Sequence, residues 1–258
     1  MDEVLHGRRM FTEADRGQLR TRLLGRARAD RCITGAAITG SAAHGAEDRW
    51  SDVDLFFGVT AEFAPEDILG EWSQFMYQEL GVLHHFDLRS GLAIYRAFLL
   101  PACLEVDLAF TPAAEFGARG PHFRTVFGEA IERPDVPRAD RDHIIGLAWH
   151  HVLHARICIE RNKLWQAEYW ISGVRDHALT LACLRFGQPT AYAKGVDALP
   201  SKVTMRFEDA LARTLTPSEL WRALGAAATH LLHELRDADA ALAKRLEGPF
   251  LELTNRRG

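Results

Sequence analysis

The feature that most constrains this chain is a change of texture near its middle. In the first half, short apolar runs that read as strands alternate with helix-patterned stretches bounded by glycine and proline. From residue 143 onward glycines become few, and Ala/Leu/Arg-rich runs carry apolar residues three and four apart. Between the two lies "ERPDVPRADRD", residues 132–142, whose two prolines and dense charge have the composition of a linker. An α/β half, residues 1–135, followed by a helical half, residues 136–258, is therefore expected, and with 258 residues each half can bury a core of its own.

Within the first half, Thr12 is a plausible cap for a surface helix over residues 12–30. "CITGAAITG" reads as a buried strand ending at Gly40, and "DVDLFFGVT" as a second strand. "PEDILGEWSQFMYQELG" starts with proline at a helix start and stops at Gly81. "GLAIYRAFLLPACLEVDLAFTP" reads as two strands hinged at Pro101-Ala102. The second half is expected to hold helices over residues 143–162, 164–186 and 217–247.

Composition narrows the partners. A net charge of -4 provides no global field to recruit nucleic acid, and is compatible with a cationic small-molecule substrate. The four cysteines lie far apart with no C-x-x-C spacing, which excludes a disulfide framework or zinc ribbon and reads as buried thiols in a reducing compartment. No apolar core follows the N-terminus and no run reaches membrane-spanning length, so a cytoplasmic protein without membrane contact is expected.

The polar problem lies in "ITGSAAHGAEDRWSDVDLFFGV", residues 38–59. In a strand, Asp52 and Asp54 project to the same face, and two neighbouring carboxylates repel unless a cation lies between them. A hard, oxygen-seeking ion such as Mg²⁺ suits them, although a solvated sheet edge or turn is the commoner origin of such a pair. Gly40-Ser41 changes the balance. Glycine permits close backbone approach, and a short helix beginning at Ser41 would offer free N–H groups to phosphate.

Gly40-Ser41, ten intervening residues, and Asp52-x-Asp54 between hydrophobics resemble the signature of the polymerase-β-like nucleotidyltransferase superfamily. Its third carboxylate comes from a later, adjacent strand, and "CLEVDLAFTP" offers Asp107, with Glu105 on the same face. A short core followed by helices further resembles the antibiotic nucleotidyltransferases, which adenylylate aminoglycosides or lincosamides. "FLLPACLEVDLAFTP", "WQAEYWISGVRDHALTLACLR" and "AYAKGVDALP" carry that looser likeness over most of the chain.

The resemblance implies an α+β nucleotidyltransferase domain, a mixed sheet flanked by helices, followed by an all-α helical-bundle domain. It implies Asp52, Asp54 and Asp107 as catalytic residues and Mg²⁺ ligands, Asp107 either completing a second metal site or serving as general base, the role favoured here, with or without metal contact. Gly40 and Ser41 would hold the phosphates of ATP or another nucleoside triphosphate, with Lys194, which reads equally as a solvated surface lysine, and more weakly Arg175 and Lys202, facing the pyrophosphate. The acceptor would be a small hydroxylated molecule, aminoglycosides and lincosamides being the candidates. Two other readings stand beside it: a protein-AMPylating, antitoxin-like enzyme, whose members are usually shorter, and a nucleotide-binding module without turnover.

Other signals are weaker. His150 and His154 are one helical turn apart, but the H-E-x-x-H glutamate is missing, so an ordinary helix is expected. Trp165, Tyr169 and Trp170 are expected in the core more often than as a cleft wall. Glu160 and Glu168 read equally as solvated helix charge or as partners for an acceptor's amines. His84-His85 lies before strand-like "FDLRS", Arg49 lies near the aspartate pair, and "TNRRG" reads as a frayed tail.

Overall fold

The computed structural model describes residues 10–118, 120, 122–132 and 139–255. Thr12 and Asp15 cap helix α1 (Glu13–Ala29) reciprocally: the Asp15 N–H donates to Thr12 Oγ1 at 3.2 Å and the Thr12 N–H donates to Asp15 Oδ2 at 2.8 Å. Strands β1 (Ile33–Thr39) and β2 (Val53–Val59) follow, then helix α2 (Pro65–Leu80), opened by its proline and closed by left-handed Gly81. Strands β3 (His84–Ser90), β4 (Ala93–Leu99), β5 (Glu105–Pro112) and β6 (Phe123–Phe127) complete a six-stranded sheet in the order β3-β4-β5-β2-β1-β6. It is a mixed sheet, because β2 and β5 run parallel while the other pairs are antiparallel.

Side-chain alternation gives the sheet two faces. Leu55, Phe57, Val106, Leu108 and Phe110 face α1 and α2, where Leu19, Leu23, Ile68, Leu69, Trp72 and Met76 complete the main core. Trp72, fully buried, packs against Phe57 and Phe110 and donates its indole N–H to Asp30 at 3.0 Å. The opposite face carries a smaller cluster, including Ala37, Phe56, Ala109 and Phe116. Glycines pair there, Gly35 opposite Gly58, because a Cβ on either would press into the Phe116 side chain.

The chain forms two compact units, Met1–Val136 and Pro137–Gly258. The boundary expected at 135/136 falls within 133–138, outside the described residues. The second unit is helical: α3 (Arg141–Glu160), α4 (Leu164–Arg185), the short α5 (Ser201–Phe207), α6 (Pro217–Ala238) and α7 (Ala240–Thr254). Its core is built from small and branched residues such as Ala148, Val152, Ile171, Val174, Leu224 and Leu231. The architecture is thus a mixed sheet with helices followed by a helical region.

Several expectations need correction. The single helix expected over residues 217–247 is two, broken at Asp239, whose extended backbone and side chain cap the Leu242 N–H of α7. The helix expected after Gly40 is one 3₁₀ turn, Gly40–His44, ended by left-handed Gly45. Trp165 and Tyr169 are exposed rather than buried, and only Trp170 packs inward, against His151 and His154. Cys32, Cys158 and Cys183 are buried free thiols, whereas Cys103 is exposed. Of the expected tail, residues 256–258 lie outside the described residues. Among the described residues no helix is long and apolar enough to cross a membrane.

Candidate active site

Parallel pairing of β2 with β5 puts Asp54 directly opposite Asp107. Asp52 precedes β2 by one residue, and carboxylate oxygens of Asp52, Asp54 and Asp107 lie within 4.8 Å of one another. Among the described residues this is the one group of three or more His, Cys, Asp or Glu side chains so arranged. The histidines of α3 therefore form no comparable ligand set, although the His150 and His154 rings approach to 4.2 Å.

The carboxylates sit in a charge environment that invites a cation. Asp107 Oδ1 is buried and has no hydrogen-bond partner among the described residues. Burial, followed by the charges of Glu105 and Asp52, raises the Asp107 carboxyl to about 6. An orphaned buried oxygen within an all-oxygen set of three carboxylates fits a hard divalent cation. Such an acidic triad is typical of metal-dependent nucleotidyltransferases.

Gly40 is tied to this triad by two constraints. Its φ is 63°, in the left-handed region, and a Cβ there would overlap the Asp54 carboxylate. The 3₁₀ turn that follows, with Ser41 in it, is braced by Arg124, which donates to the Ala42 carbonyl at 3.3 Å. The His44 and His122 rings stack at 3.9 Å beside the same turn.

A residue that sequence reasoning missed holds the approach to Asp52. Arg16, buried on α1, donates to the carbonyls of Asp48 at 2.6 Å and Ser51 at 2.9 Å. Within that turn, Asp48 Oδ1 accepts from the Trp50 N–H at 2.8 Å and from the Ser51 hydroxyl at 3.1 Å, bonds that lower the Asp48 pKa. The signal was present: Arg16 shares the three- and four-residue spacing of Leu19, Leu23 and Ala27, so it lies on the buried face. Arg49, by contrast, lays its guanidinium over Phe11 and Trp50 at 5.0 Å from each ring.

The residues that resemble the polymerase-β-like nucleotidyltransferase signature are thus neighbours in space. Gly40, Asp52, Asp54 and Asp107 come together, Asp54 and Asp107 on one face of the sheet. No protein-family model matches the chain, and no curated protein matches it. Among solved structures it is similar to an aminoglycoside 6-adenyltransferase from Bacillus subtilis, with 11% identity, 96% of this chain and 100% of that chain covered, and a TM-score of 0.38. It is also similar to a chain of the GLD-2/RNP-8 complex, with 13% identity, 84% of this chain and 76% of that chain covered, and a TM-score of 0.29. Likenesses this distant carry no argument about activity, which rests on the triad.

The remaining candidates lie in the helical unit. Arg175, on α4, donates to Asp176 at 2.9 Å. Lys194 and Lys202 are exposed, the Lys194 Nζ lying 6.0 Å from the Tyr192 ring centre. Glu160 pairs with Arg156 at 2.9 Å, and Glu168 accepts from the Ser172 hydroxyl at 2.6 Å.

Proposed function

We propose that this chain is a nucleotidyltransferase that moves a nucleoside monophosphate, AMP from ATP, onto a hydroxyl of a small molecule and releases pyrophosphate. The observation that carries the reading is the in-register meeting of Asp54 and Asp107 with Asp52 beside Gly40.

In this reading Asp52, Asp54 and Asp107 hold Mg²⁺. The ion they would hold would supply neutralisation of the triphosphate's charge. Gly40 leaves room for the Asp54 carboxylate to lie against the backbone, and the Gly40-Ser41 turn would offer the phosphates its N–H groups and the Ser41 hydroxyl. The Asp107 carboxylate would also take the acceptor hydroxyl's proton. Arg16 orients Asp52 through the carbonyls of the preceding turn.

Pyrophosphate release tests the proposal, with ATP and Mg²⁺ offered against aminoglycosides, lincosamides and a protein extract. Turnover with a purified small acceptor, lost in Asp54→Asn, is the expected result. Turnover confined to the extract would replace the acceptor class with a protein side chain, and none with any triphosphate would overturn the reading.

A further inference from the structure

The sheet ends in a strand, β3, that carries charge on one face and bare apolar side chains on the other. Strand β3 is the outer member next to β4, and among the described residues no strand pairs with its other side. An open edge presents unpaired N–H and C=O groups, which soluble proteins commonly shield with charge, proline or a bulge. Here the face shared with Asp54 and Asp107 instead carries Phe86 and Leu88, each 54% exposed. Leu83 and Leu92, both 63% exposed, lie just beyond the ends of β3. So concentrated an apolar edge marks a protein contact.

The hairpin fixes which backbone groups are free. Ser90 and Ala93 flank a two-residue turn, Gly91-Leu92, with Gly91 at a φ of 57°. In such a hairpin the flanking residues exchange hydrogen bonds, and bonding alternates along the ladder. His84, Phe86, Leu88 and Ser90 therefore bond inward to β4, leaving the backbone groups of His85, Asp87 and Arg89 directed outward. The charges of these residues lie on the helix-covered face, where Asp87 accepts from Arg96 at 2.7 Å and Glu66 accepts from Arg89 at 3.1 Å.

We propose that two copies of this chain pair through the free edge of β3, antiparallel, about a two-fold axis at Leu88. That register sets Asp87 opposite the partner's Arg89 among the outward-bonding residues. Charge then alternates across the seam: Arg96, Asp87, the partner's Arg89, the partner's Glu66. A two-fold centred on Asp87 would instead oppose two carboxylates, which is destabilising. On the other face the Leu88 register brings the two Leu88 side chains together, with Phe86 on the diagonal, covering the apolar edge. The contact is isologous and closed, so it yields a dimer rather than a fibre.

Molecular mass by sedimentation equilibrium tests this. Wild-type protein is expected to be a dimer, and Leu88→Lys, which places two ammonium groups at the axis, to halve the mass. The circular dichroism melt of the variant reports whether the protomer still folds. Leu88→Cys in a Cys103→Ser background checks the register, because a non-hydrogen-bonded antiparallel pair has Cα atoms about 4.5 Å apart, within reach of a disulfide. Oxidation should cross-link it well beyond a Leu251→Cys control, whose site is exposed on α7. A monomeric wild type, a dimer that survives Leu88→Lys, or cross-linking no greater than the control would each overturn the proposal.

Discussion

Gly40→Ala, set against Gly45→Ala, separates the cost of a backbone conformation from the cost of crowding the triad. Both glycines have positive φ, 63° and 73°. An L-residue in that region costs roughly 1–2 kcal/mol, so each variant should lose that much stability from the backbone alone. At about 2–4 °C per kcal/mol for a unit of this size, the melting temperature should fall roughly 2–8 °C in each. Their surroundings differ. A Cβ at Gly45 meets nothing within 4 Å, whereas at Gly40 it overlaps the carboxylate of Asp54. Relief requires the strand end or the carboxylate to move on the order of 1 Å, a misplacement that costs about a hundredfold in rate. Measured by pyrophosphate release, kcat/KM should therefore fall about a hundredfold in Gly40→Ala and remain within about threefold of wild type in Gly45→Ala. Equal activities in the two variants, at matched stability, would refute the account of how Gly40 serves Asp54.

Other consequences follow from the same coordinates. Mg²⁺ should raise the melting temperature of the wild type by ligand linkage, and Asp107→Asn should remove most of that rise while lowering kcat by about 10²–10⁴-fold; an unaltered Mg²⁺ response would separate Asp107 from the ion. Burial, then the neighbouring His177, His150 and His154, depresses His151 to about 4. Above pH 6.5 it is neutral folded or unfolded and adds no pH dependence. Below that pH only the unfolded chain takes the proton, so stability is lost between about 6.5 and 4. Urea midpoints should show a shallower acid slope in His151→Gln; an unchanged slope would refute this. Glu234, 4% exposed, accepts both Arg185 nitrogens at 2.8 and 3.0 Å. Arg185→Ala leaves that carboxylate buried and unpaired, a loss of about 3 kcal/mol in denaturant titration. Arg236→Ala, at the exposed pair with Glu247, should cost below about 1 kcal/mol.

Legibility in the sequence followed the range of the interaction. Strands β1, β2, β4 and β5 and helices α1 to α4 were readable because alternation, helical spacing and capping residues are local. The Gly40-Ser41 and Asp52-x-Asp54 spacing was readable for the same reason. Strand β6 was not, since "FRTVF" has a weak pattern of its own and owes its place to pairing with β1. The break at Asp239 was hidden because apolar spacing continues through it. Arg16 was overlooked because a charged residue on an apolar helix face finds its partners, the carbonyls of Asp48 and Ser51, more than thirty residues away.

By itself the sequence determined that Asp52 and Asp54 share a face, because side chains along an extended chain alternate whatever surrounds them. It also determined that residue 40 could turn through the left-handed region, because glycine lacks the Cβ that opposes it. Only the tertiary structure decided that Asp107 stands beside them. Parallel pairing of β2 with β5 spans an intervening helix and hairpin, and a shift of one residue would send that carboxylate to the other face of the sheet. Register between distant strands is set by how the whole core packs, which no local pattern encodes.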